Sequence, residues 1–148
     1  MINRFNIRVY GLLIHNGQLL TVNELIAGNR YTKFPGGGLE FGEGIADCII
    51  REFKEETSLD ITINSHFYTT DFFQPSAFKH TDQVISIYYL VSAHNQPLPV
   101  HGEERTFTIN DRTEQLTFFW IPLNELTADF FPLPIDKHVC KLLKQQMI

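Results

Sequence analysis

The stretch from Phe34 to Leu59, FPGGGLEFGEGIADCIIREFKEETSL, opens as a glycine loop and closes as a helix. From Gly44 to Thr57 there is no Pro and no internal Gly, and Ile45, Ala46, Ile49, Ile50 and Phe53 recur at spacings that stack on one helical side. The pattern predicts a helix with that side buried. At about 100° per residue, Glu52, Glu55 and Glu56 lie within roughly 100° of one another, on a stripe beside the apolar one. Three carboxylates share one ridge.

Like charges on adjacent turns repel, each pair costing about 0.2–0.5 kcal/mol, and Arg51 neutralises only part of the cluster. Two readings compete: a solvated acidic face, which most charge runs on helices are, and a site for a hard divalent cation, which prefers all-oxygen surroundings. The loop before the helix bears on the choice. Gly36, Gly37, Gly38 and Gly42 free the backbone to approach a ligand closely. Gly37 and Gly42 match the glycine spacing of a P-loop, but Glu43 and Gly44 stand where that motif needs Lys and Ser or Thr. The dinucleotide-binding Gly-x-Gly-x-x-Gly also fails at every start. A glycine loop ending in Glu and followed by a triple-Glu helix repels bare phosphate, so phosphate enters only with metal ions between.

These residues resemble the signature of the Nudix hydrolases: Gly, five residues, Glu, seven residues, then Arg-Glu-apolar-any-Glu-Glu-any-Gly-apolar. Here it reads Gly37, Glu43, Arg51, Glu52, Phe53, Glu55, Glu56, Ser58 and Leu59, with Pro35-Gly36-Gly37 as a similar lead-in. All the charged positions agree. Ser58 departs from the usual Gly near the helix end, where Gly takes the left-handed conformation freely; the cost is about 1 kcal/mol. The resemblance implies an α/β fold, an α/β/α sandwich with a mixed, partly antiparallel sheet. It also implies a metal-dependent pyrophosphohydrolase that cleaves a nucleoside diphosphate linked to another group X, using Mg2+ or Mn2+. On that resemblance Glu52 and Glu56 are the main metal ligands, Glu55 is a ligand or the water-activating base, Arg51 and Glu43 orient the site, and the Gly36 carbonyl reaches a metal. Relatives often add a late carboxylate, a placement that Glu114 resembles best. A homodimer is compatible with the family. The rival reading is a Nudix-like module that binds a nucleotide without turning it over, as a sensor or regulatory domain.

With 148 residues the chain fits a single domain, 1–148, able to bury about two thirds of its unfolded surface. Hydrophobic residues make up 43% and charged residues 20%, a globular composition. A net charge of −5 argues against a nucleic-acid polymer as partner and remains compatible with a small nucleotide derivative carrying its own metal. The longest mostly apolar run, Val84 to Ala93, is too short and polar to span a bilayer, and the N-terminus lacks a signal-peptide layout, so the expected location is cytoplasmic. Cys48 and Cys140 read as reduced packing residues, and the six His, scattered without metal-ligand spacing, stay unassigned.

Around the central stretch, Phe5 to Ile14 and Gln18 to Val22 read as a hairpin turning at His15-Asn16-Gly17. Asn23 to Lys33 reads as a polar connection in which Arg30 and Lys33 are candidate contacts for substrate phosphates. Asp60 to Phe73 alternates irregularly and then breaks at Gln74-Pro75-Ser76, which reads as a strand followed by a loop, and the loop residues Phe78, Lys79 and His80 combine aromatic and cationic groups suited to a base or a phosphate. Val84 to Ala93 is apolar on both faces, which predicts a central strand. His101 to Glu114 reads as a polar segment, followed by a strand from Gln115 to Ile121. Pro134 begins a last helix with Ile135, Val139, Leu142 and Leu143 facing the core.

Overall fold

The computed structural model describes residues 1–94, 96–109 and 111–147. Strands β1 (Arg4–His15) and β2 (Gln18–Ile26) turn at Asn16 and Gly17, whose φ values of 50° and 73° are the pair a tight two-residue hairpin needs. The polar connection expected after Val22 is instead a second hairpin. β2 continues to Ile26, turns at Ala27 and Gly28 with φ of 50° and 84°, and pairs with β3 (Asn29–Lys33). Ala is a poor turn signal, and an edge strand with polar side chains lacks the apolar alternation of a core strand.

Then follow β4 (Gly36–Gly38), α1 (Ile45–Thr57), β5 (Thr62–Thr69), β6 (Asp82–Ser92), β7 (Glu104–Ile109), β8 (Arg112–Pro122) and α2 (Pro134–Met147). Two short 3-10 turns, Leu123–Glu125 and Ala128–Phe130, stand between β8 and α2. The segment read as polar from His101 to Glu114 is thus mostly a hairpin arm: β7 pairs antiparallel with β8, and Glu114 lies inside a strand opposite Phe107. Thr106, Phe107 and Thr108 alternate polar with apolar, a period-2 signal diluted by the surrounding charges. In β5 the irregular alternation has a cause, since its pairing with β6 shifts register twice.

The strands form one sheet of two halves, β4-β1-β6-β5 and β3-β2-β8-β7, joined where β1 and β2 pair at Ile14–Leu19 and His15–Gln18. β1 and β6 run parallel from Arg4–Asp82 to Leu13–Val91, and the other strand pairs are antiparallel. A mixed sheet with a helix packed on each core makes this an α/β fold.

β1 serves both cores by alternation. Val9 and Leu13 pack with Ile49 and Phe53 of α1, Leu20 and Val22 of β2, and Leu116 and Phe118 of β8. Tyr10 and Leu12 point the other way, into a core with Phe34, Tyr88, Phe131 and the α2 residues Ile135, Val139 and Leu143. Each such side chain contributes about 1.5–3 kcal/mol when removed from water. Gly11 has no room for a Cβ because the Phe53 ring fills that space.

The buried stripe of α1 is rotated from the expected one. Ala46 and Ile50 are exposed, whereas Cys48, Ile49, Phe53, Glu56 and Thr57 are buried. An apolar residue at position 50 misdirects the pattern, and burial of a carboxylate at position 56 is what no hydropathy pattern shows. The two thiols are free and buried in different cores. Among the described residues no helix is long and apolar enough to cross a membrane.

Candidate active site

β4 lays its three glycines antiparallel along Arg8, Val9 and Tyr10 of β1. A side chain at Gly36 would fall on the Val9 carbonyl, and one at Gly37 would fall on the Glu52 carboxylate. The loop is therefore glycine because backbone and carboxylate press against it, and α1 is held with Glu52 directly beneath. The first turn of α1 is fixed by Asp47, whose carboxylate accepts the Gly44 amide at 3.2 Å.

Arg51 organises the acids around it. Its Nε and Nη2 donate to both oxygens of Glu43 at 3.0 and 2.7 Å, a bidentate pair. Nη1 donates to Glu52 at 2.9 Å and to Glu55 at 3.3 Å, and Nη2 also reaches the Gly38 carbonyl at 3.2 Å. The hydrogen bonds from Arg51 draw the Glu43 carboxyl down to about 2. Arg51 in turn is held above its ordinary range, first by Glu43 and then by Glu52. Cys48 lies against this cluster, 3.7 Å from Arg51 Nη2, and burial pushes its thiol up to about 12.

Glu52 and Glu56 differ from the other acids. Both line a cleft of about 410 Å³, and burial raises the pKa of each. For Glu56 the neighbouring charge of Glu52 adds to the rise, while Lys33 opposes it. Glu56 Oε2 is buried and has no hydrogen-bond partner among the described residues. An oxygen in that condition costs about 1–3 kcal/mol or more unless a ligand satisfies it. A hard cation fits: the donors are all oxygen, two carboxylates stand together, and one oxygen lacks a partner. Among the described residues no group of three His, Cys, Asp or Glu side chains is placed to hold a metal ion by itself.

Of the other anticipated residues, Gly36, Lys33, Phe78, Lys79 and Glu114 line the cleft. Lys33 is buried and donates to Glu24 at 3.0 Å. Glu55 and Glu43 stand behind Arg51 rather than in the cleft. Arg30 lies outside it, donating to Asn23 at 3.2 Å on the exposed face of the β2–β3 hairpin, and His80 is likewise exposed and outside. Phe78 meets Tyr31 edge to face, with ring centroids 5.1 Å apart.

A family model described as the NUDIX domain matches residues 5–142. The chain belongs to the Nudix family. The mouse (Mus musculus) protein "Nucleoside diphosphate-linked moiety X motif 6" is 37% identical over 113 residues, covering 75% of this chain and 32% of that protein. The chain thus spans about a third of the length of this curated relative. Among solved structures, the MutT protein from Methanosarcina mazei Go1 superposes with a TM-score of 0.72 at 16% identity, covering 100% of this chain and 99% of that one. A NUDIX hydrolase from Nitrosomonas europaea gives 0.71 at 18%, covering 96% and 90%. At these identities the structural likeness establishes the Nudix fold.

Within this Nudix domain several cleft residues escape a reading of motifs. Arg8 and Tyr10 come from β1, Glu24 from β2, Tyr88 from β6 and Asp136 from the first turn of α2. Tyr88 donates to Asp136 at 2.6 Å, and burial pushes the Asp136 carboxyl up to about 6. The signal in β1 was alternation: Asn6, Arg8 and Tyr10 are polar or amphipathic at period 2 between apolar Ile7 and Val9. The Nudix signature position held by Ser58 has φ of 63°, so the helix leaves through the left-handed conformation without the usual glycine.

Proposed function

We propose that this chain is a pyrophosphohydrolase that adds water across the phosphoric anhydride of a nucleoside diphosphate linked to X, giving a nucleoside monophosphate and phosphorylated X. The observation that carries the proposal is the Glu52–Glu56 pair beneath the glycine loop, with one buried Glu56 oxygen left for a ligand. Family membership supports it, and so does the mouse relative, whose name specifies a nucleoside diphosphate linked to a moiety X. Glu52 and Glu56, with the Gly36 carbonyl, would hold divalent magnesium or manganese, which polarises a phosphoryl oxygen and lowers the pKa of a bound water.

The remaining work falls to side chains. Arg51 fixes the rotamer of Glu52 and spaces it from Glu43 and Glu55, so the acid facing the cleft does not swing toward solvent. Glu55 is committed to Arg51, which supports a positioning role for it; the proton of the attacking water would go to a carboxylate that lines the cleft, Glu56 and Glu114 among them. Lys33 sets a positive charge beside Glu56, and Phe78 and Lys79 at the mouth suit a base and an anionic group.

The test is incubation of purified protein with magnesium or manganese and a panel of nucleotide sugars, dinucleotides and nucleoside triphosphates. The expected result is release of a nucleoside monophosphate from at least one compound, abolished by chelation. Tight nucleotide binding with no product from any compound would replace the enzyme with a binding module.

A further inference from the structure

The Arg of the signature has no donors to spare. Arg51 Nε, Nη1 and Nη2 are all engaged by Glu43, Glu52, Glu55 and the Gly38 carbonyl, so it adds no free positive charge for a ligand. Lys33 is partly neutralised by Glu24 at 3.0 Å. A ligand bearing a diphosphate brings more negative charge than these two can meet, and a cation must be found elsewhere on the cleft wall.

Of the three further cations among the described residues that line it, Lys79 and Arg112 are exposed and Arg112 lies 4.0 Å from Glu114, whereas Arg8 is seated beside the glycine loop. It lies on β1 directly across from Gly38, half-buried, and lines the cleft. Its Nε donates to the Tyr10 hydroxyl at 3.1 Å, which sets the plane of the guanidinium. Nη1 and Nη2 make no hydrogen bond and no ion pair within 4.0 Å among the described residues, and Glu52 and Glu24 attract the guanidinium only from further off. Tyr10 itself is clamped in its rotamer by stacking on Tyr88, ring centroids 5.2 Å apart. A guanidinium cannot shed its proton, and its planar fork matches two oxygens of a phosphate. A preset Arg with its two terminal nitrogens open to a cleft, next to the acids that would hold metal, is a phosphate clamp rather than a structural ion pair.

We propose that Arg8 binds the phosphoryl group adjacent to the one held over Glu52 and Glu56, and thereby makes the cleft selective for diphosphate-linked ligands over monophosphates. The proposal rests on the reading of the acid pair given above. It assigns Tyr10 a positioning role, since its hydroxyl accepts from Arg8 Nε and so fixes the guanidinium.

Calorimetric titration with methylenediphosphonate, a non-hydrolysable diphosphate, and with methylphosphonate as the monophosphonate control tests this in magnesium. Wild-type protein is expected to prefer the diphosphonate. Arg8→Ala should weaken its binding about tenfold to a hundredfold while leaving the monophosphonate within about twofold, and Arg8→Lys should recover only part of the loss. Tyr10→Phe should weaken diphosphonate binding severalfold. Manganese affinity, read by electron paramagnetic resonance, and the thermal midpoint of Arg8→Ala check that the acids and the fold are intact. Equal diphosphonate affinity in wild type and Arg8→Ala, or no preference for the diphosphonate in wild type, would overturn the clamp. Arg8-dependent binding without hydrolysis of any compound in the panel would sustain the clamp and sink the enzyme.

Discussion

Glu56 carries an oxygen that finds no hydrogen-bond partner among the described residues, and its pKa is raised mainly by burial. A raised acid stabilises the fold below its unfolded pKa and loses that contribution as pH climbs through the folded one. In metal-free protein at neutral pH, Glu56→Gln should therefore raise the thermal midpoint, since an amide of the same shape carries no charge. The same change should cut turnover by several orders of magnitude and remove the stabilisation that magnesium gives; melts with and without magnesium, beside the product assay, check both. Asp136 obeys the same sign. Burial lifts its carboxyl from 3.8 to about 6, so between pH 4 and 7 the wild type should lose about 2 kcal/mol that Asp136→Asn keeps, as read from urea unfolding at a series of pH values. Glu52 and Glu56 were legible in the sequence because charges at helical spacing form a pattern. Arg8 and Asp136 were not, because one Arg in a strand and one Asp in a first helical turn look like ordinary surface residues until the fold brings them to one cleft.

At the scale of elements, α1 is placed from both ends. Asp47 holds its start, and at its close Arg105 of β7 donates to the Thr57 carbonyl at 2.5 Å while Ser58 takes a left-handed φ of 63°. Ser58→Gly should relieve that conformation and stabilise the domain by about 1 kcal/mol with activity unchanged, measurable by denaturant titration. The existence of α1, α2 and the central strand β6 could be read from periodicity, since Ile135, Val139 and Leu143 repeat every helical turn and β6 is apolar on both faces. The β2–β3 and β7–β8 arms could not. Their turns include Ala27-Gly28 and Asp111, and their strands carry Asn, Arg, Glu and Thr that a reading of hydropathy assigns to loops.

For the whole molecule, the two cores depend on one strand between them. Gly11→Ala should overpack the α1 core against Phe53 and cost about 1–3 kcal/mol, with no change at a cleft it does not line; equilibrium unfolding measures the loss. The parallel pairing of β1 with β6 joins residues 78 positions apart, as Arg4 and Asp82 show, and no local pattern announces it. The overall architecture was nonetheless legible, because the motif from Gly37 to Leu59 matches in charge at each signature position and brings the family's fold with it.

One consequence follows from the way β1 divides its side chains. Val9 and Leu13 feed one hydrophobic core, while Arg8, one step out of phase, faces the cleft and Tyr10 joins that cleft to the second core. Sliding the strand by a single place would sink a guanidinium in oil and offer valine to the ligand. Stability and selectivity are thus written in the same dozen letters on alternate beats, and neither can drift without dragging the other.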